Sequence, residues 1–121
     1  TYDSHFIHFE GIPGVISAQG TVTFATNIVG VIVKPLTLDN SDVTCGAFGT
    51  SYPTGYPLRG TNTSIPSFFS INANTITFNL AAIASIGEVA QIRVITDAVP
   101  APGATALLGL GGLAMARRRR N

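Results

Sequence analysis

The sequence predicts a mainly β protein: an antiparallel β-sandwich of jelly-roll-like topology over residues 1–98, followed by a short C-terminal hydrophobic helix. Three observations carry that prediction. Short runs with a two-residue apolar period recur along the first 98 residues. No stretch there holds a long apolar stripe at the helical period. The strand-like runs also follow one another without the strand–helix alternation that marks a parallel sheet.

The first run is "SHFIHFE", ended by Gly11-Ile12-Pro13-Gly14. In "GTVTFATNIVGVIVK", Val22 and Phe24 alternate with Thr21 and Thr23, and the chain then turns apolar on both faces from Ile28 to Val33. That change predicts two strand segments with a bend or bulge near Thr26-Asn27, or one strand entering a more buried region. "SFFSIN" puts Phe69 and Ile71 on one face, and "TITFNL" does the same for Ile76, Phe78 and Leu80. Asn72-Ala73-Asn74 between them reads as a hairpin turn. "VAQIRVIT" is the last strand, with Ile92 and Val94 facing opposite to Gln91 and Arg93. Val22, Phe24, Phe69, Ile71, Ile76, Phe78, Leu80, Ile92 and Val94 are the expected core. From Leu38 to Ser64 the periodicity gives way to turn-forming residues, and "NLAAIASIGE" reads as a possible helical turn stopped by Gly87.

Charged residues make up only 11% of the chain, against roughly 25% in an ordinary globular protein. The net charge of +1 conceals a division, because four of the seven basic residues sit at positions 117–120. The rest carries Lys34, Arg59 and Arg93 against six acidic residues, a net charge of −3. An acidic body without a basic stripe lacks the phosphate-neutralising contacts of nucleic-acid binding. Cys45 is the only cysteine, so no intrachain disulfide forms, and a small buried hydrophobe is the expected role. The chain opens on Thr1 with no visible signal peptide, so an N-terminally incomplete domain is expected.

Candidate chemistry in the body is sparse. His5 and His8 fall on opposite faces of a strand, which argues against a shared metal site. No nucleophile elbow accompanies the serines, so no catalytic residues and no cofactor are expected. Asp39, Asn40 and Asp42 are oxygen donors of the kind calcium takes, but the Gly and distal Glu of an EF-hand loop are missing, which favours an Asx-rich turn. "YPTGYP" holds Tyr52 and Tyr56 on a Pro/Gly-braced loop, an aromatic pair able to stack on sugar rings or simply to pack the turn. Asn62-Thr63-Ser64 fits the N-glycosylation pattern.

Residues 99–121 read as a separate module. Pro100 and Pro102 stop a helix or strand from continuing out of the body. Ala104 to Ala116 follow with no charge, and a helix over 103–118 is expected to make few contacts with the body. Thirteen residues span only about 20 Å as a helix, short of the roughly 30 Å hydrocarbon core, a deficit that arginine snorkelling and local bilayer thinning offset in part. Arg117, Arg118, Arg119 and Arg120 fit the positive-inside rule, with the C-terminus cytoplasmic and the body across the membrane. Gly109 to Ala114 match G-x-G-x-x-A, but no strand or acidic residue follows, and a dinucleotide site is excluded.

Together, Val99-Pro100-Ala101-Pro102, the Gly/Leu/Ala-rich run and the arginine cluster resemble the PEP-CTERM sorting signal of surface proteins from Gram-negative, exopolysaccharide-forming bacteria. Ala101 stands where that signal usually has Glu. "FIHFE", "GTVTF", "NTITFNL" and "IRVIT" also resemble, in order, stretches of uncharacterised PEP-CTERM ectodomains. The resemblance implies a membrane-embedded exosortase that cuts near Val99 to Gly103, a transient membrane anchor, and a mature protein at the cell surface or in an exopolysaccharide matrix. The expected role is structural or adhesive and not enzymatic. A carbohydrate-binding module using the Tyr52/Tyr56 loop, or a secreted hydrolase fragment, are the alternatives.

Overall fold

The computed structural model describes residues 1–10, 17–61, 68–83 and 87–100. They are mainly β: β1 (Tyr2–Glu10), β2 (Ser17–Thr23), β3 (Ile28–Ile32), β4 (Arg59–Gly60), β5 (Phe68–Asn72), β6 (Thr75–Ala81) and β7 (Val89–Asp97), with one helix, α1 (Pro35–Cys45).

β7 is the spine of the first sheet. β1 pairs with it antiparallel without interruption, from Tyr2 opposite Asp97 to Glu10 opposite Val89. On the other side lies β3, antiparallel, with a register shift between Ile28 and Gly30. Beyond β3 the same edge is continued by β4, which runs parallel to Val89–Ala90. Gly60 is required there: its φ is 101°, and an added Cβ would stand 2.5 Å from the carbonyl oxygen of Val33.

The second sheet has the order β2-β6-β5, all antiparallel. The expected hairpin is present, with Ala73-Asn74 as its two turn residues and Asn72 opposite Thr75. Ala73 takes a left-handed φ of 52°, and the tip is tied to the β2–β3 connection by bonds from Phe24 N to Asn74 O (2.9 Å), Ile28 N to Ala73 O (3.0 Å) and Asn74 Nδ2 to Phe24 O (2.7 Å). The bend expected near Thr26-Asn27 is where the chain leaves one sheet for the other.

Residues of both sheets share one apolar core. Ile76 and Leu80 from β6, Ala82, and Ala90, Ile92 and Val94 from β7 are fully buried. Val22, Phe24, Phe69 and Phe78 pack on them half-buried. Ile71 departs from the expected core: it shares a face with Ile76 through the register but is 45% exposed, because β5 is an edge strand and Ile71 sits near the hairpin tip.

Two corrections concern local structure. The stretch from Leu38, expected as turns, contains most of α1. Pro35 opens the helix, a position proline favours because its missing N–H is unpaired there anyway. Leu38 is its one fully buried apolar residue, so no stripe announced it in the sequence. In "NLAAIASIGE", Asn79 to Ala81 extend β6 instead of starting a helical turn; Ala84 to Ile86 lie outside the described residues.

Candidate functional site

Because side chains alternate along β7, the face opposite the core carries Gln91 and Arg93, and both are buried. Polar partners cover this face: α1 and Ser4 of β1 meet Arg93, and Arg59 of β4 and His8 of β1 meet Gln91.

Arg59, brought beside β7 by β4, sends Nε to Gln91 Oε1 (2.8 Å) and Nη1 to Asp39 Oδ1 (2.6 Å) and Asp42 Oδ2 (2.6 Å). Arg93 sends Nη2 to Asp42 Oδ1 (2.5 Å) and Nη1 to Ser4 Oγ (3.0 Å) and the Cys45 carbonyl (3.1 Å). Gln91 Nε2 continues the chain to His8 Nδ1 (2.8 Å). Asp39 and Asp42 are three apart on α1 and so point down one face toward the sheet. Two guanidinium groups meet two carboxylates, and the cluster is neutral. Burial alone would raise the carboxyl of Asp42, but bonds from Arg59, Thr54 and Arg93 outweigh it and hold that group below the ordinary carboxylate range. Burial would likewise lower Arg59, and its bonds to Asp42 and Asp39 reverse the direction.

The aromatic residues close this cluster. Arg93 lies 5.0 Å from the Phe6 ring centre and 4.9 Å from that of Tyr52, and Phe6 and Tyr52 meet edge to face at 5.3 Å. Tyr52 and Tyr56 do line one open depression of about 490 Å3 with His8 and Glu10. Their hydroxyls are engaged within the fold: Tyr52 accepts from Ala47 N (2.9 Å), and Tyr56 donates to the Gly87 carbonyl. Both tyrosines are half-buried and tied into the fold while lining that depression, and Tyr52 also packs on Arg93 of the cluster.

His5 and His8 do lie on opposite faces. His5 is hydrogen-bonded to Thr96 (3.1 Å) beside Phe24, whereas His8 meets Gln91. Asp39, Asn40 and Asp42 form part of α1, not an Asx turn, and both carboxylates are committed to arginines. Among the described residues no group of three or more His, Cys, Asp or Glu is placed to hold a metal ion. Cys45 is half-buried at the end of α1.

The exposed face of the second sheet escaped the sequence reading as a site. The register aligns Thr23 with Thr75, Thr21 with Thr77 and Gln19 with Asn79 across β2 and β6, and Asn72, Ser70 and Phe68 continue these three rows on β5. Thr21–Thr77 (3.1 Å) and Thr23–Thr75 (3.0 Å) are hydrogen-bonded across the strands. No residue of β2, β5 or β6 is charged. The signal was present as "TVT" and "TIT", but their alignment depends on register.

Of the tail, the structure describes Val99 and Pro100, both exposed, with Val99 N donating to Asp3 Oδ2 (3.2 Å). Ala101, Pro102, the helix expected over 103–118, and Arg117 to Arg120 lie outside the described residues, as does Asn62-Thr63-Ser64. Among the described residues no helix is long and apolar enough to cross a membrane. Comparison of the chain with family models, curated proteins and solved structures returns no match.

Proposed function

We propose that this is an exported, surface-associated protein whose residues 99–121 act as a sorting signal and transient membrane anchor. Its body is a structural or adhesive domain of a cell-surface or exopolysaccharide layer. The observation that carries this reading is the order of three unlike segments: Val99-Pro100-Ala101-Pro102, the uncharged run Ala104–Ala116 and Arg117–Arg120. Proline removes backbone donors and keeps the entry to the tail extended, the apolar run favours lipid, and four arginines hold one end on the cytoplasmic side. The exposure of Val99 and Pro100 beyond the end of β7 supports access by an exosortase-type enzyme.

The two sheets are read as the layers of a sandwich. Pairing of β1 with β7 and of β2 with β6 brings strands from the two ends of the body side by side in each sheet, as nested hairpins do in a jelly roll. Arg59, Arg93, Asp39 and Asp42 are spent on holding α1 to the first sheet, which suits a stabilising role better than a catalytic one.

Mass spectrometry of the protein recovered from the surface of an exosortase-bearing host tests the reading. A C-terminus between Val99 and Gly103 is expected, and replacing Arg117–Arg120 with Ser should reduce that processing. Mature chains that still end in Arg120-Asn121 would overturn it.

A further inference from the structure

We infer that the exposed face of the β2-β6-β5 sheet is a binding site for a neutral polysaccharide, centred on the row Gln19–Asn79–Phe68. Phe68 is 61% exposed on an edge strand directly opposite Asn79, which in turn stands opposite Gln19. An open depression of about 340 Å3 is lined by these three residues together with Thr21 and Thr77, at the lower end of the range for small-ligand sites. Asn79 Oδ1 is buried and has no hydrogen-bond partner among the described residues. That oxygen is out of solvent contact in the free chain, so a ligand hydroxyl meets it only when the side chains lining the depression shift.

The chemistry selects the ligand. A pyranose has an apolar C–H face, which an exposed ring such as Phe68 can cover, and an edge of hydroxyls, which donate to an amide oxygen and exchange bonds with threonine hydroxyls. The rows repeat at about 4.8 Å across strands and about 6.7 Å along them, so the hydroxyl-bearing surface continues past one sugar toward Thr23 and Thr75. With no charge on the three strands, the face has nothing to pair with a uronate or sulfate. It is also separate from the Tyr52/Tyr56 loop, which lies against Arg93, His8 and Val89 of the first sheet. The inference stands on the sheet alone and does not depend on the sorting signal.

Native affinity electrophoresis of the 121-residue chain tests it, with galactomannan, soluble β-glucan or dextran cast in the gel as neutral probes and polygalacturonate as the charged one. Retardation by at least one neutral polymer, unaffected by 0.5 M salt (roughly a 4 Å Debye length), is expected. Phe68→Ala and Asn79→Ala should each weaken retardation at least about tenfold, the loss of one good contact of roughly 1.4 kcal/mol. Thermal melting separates binding from folding, because removing an unpaired buried amide should leave the melting temperature unchanged or higher. Thr21→Val with Thr77→Val, which keeps the β-branched shape, is the second test and should also weaken binding. Tyr56→Phe should bind as the parent does. No retardation by any neutral polymer, retardation unchanged in the Phe68 and Asn79 variants, or salt-sensitive binding to polygalacturonate alone would each overturn the inference. A chain processed near Val99 that binds no glycan would leave the sorting reading intact.

Discussion

Asp42 concentrates the electrostatics of this protein in one side chain, because it accepts from both Arg59 and Arg93 while its carboxylate is only 4% exposed. Asp42→Asn should therefore destabilise the fold by about 3–5 kcal/mol, since buried Arg93 would lose its carboxylate partner and Arg59 would keep Asp39 alone; urea midpoints at pH 7 measure this. The pH dependence has a definite sign. The folded carboxyl lies below its ordinary value of 3.8, so the unfolded chain takes up this proton first as pH falls. The stabilisation is complete above the ordinary value and is lost as pH drops through the lower folded value. Urea midpoints taken from pH 6 down to pH 2 should fall more steeply for the parent than for Asp42→Asn. At the hairpin tip, Ala73 holds a left-handed φ of 52°. Ala73→Gly should relieve about 1 kcal/mol of backbone strain, and a higher melting temperature would register it.

At the scale of elements, α1 and the β5–β6 hairpin are opposites. The hairpin is local: its register follows from a two-residue turn and alternating side chains. The helix has few strong helix formers among its Asp, Asn, Ser, Thr and Val. It forms because its Leu38 is buried and because Arg59 and Arg93 donate to its two carboxylates. Leu38→Ala should cost about 2–5 kcal/mol. If the helix depends on the sheet in this way, hydrogen exchange of the amides from Asp39 to Cys45 should speed up more than that of β6. Equal acceleration in both would mean that α1 and the core open as one unit. Gly20 shows the second sheet making a similar accommodation, for the Phe78 ring lies where a Cβ would stand, 2.8 Å away at its closest atom.

For the whole molecule, β7 is the element on which both faces depend: Ala90, Ile92 and Val94 enter the shared core, while Gln91 and Arg93 bind the helical side. Ile92→Ala should cost about 2–5 kcal/mol in global unfolding, and Phe78→Ala should cost less than Phe→Ala at a fully buried site, since Phe78 is half-buried. Chemical denaturation of the pair decides that ordering. The sequence by itself determined the strands around Phe6, Val22, Ile76 and Ile92, the hairpin turn, the two faces of β1 that part His5 from His8, and the division of charge between body and tail. Each is a local property, set by a two-residue period, a turn residue or simple composition. Only the tertiary structure decided that Gln91 and Arg93 are buried among polar partners from β1, β4 and α1, that Asp39 and Asp42 meet arginines 17 to 51 positions away, and that two separate Thr-x-Thr stretches align into one surface. Those outcomes depend on which strands become neighbours and in what register. That choice is made by burial of the shared core, to which residues distant in the chain contribute together.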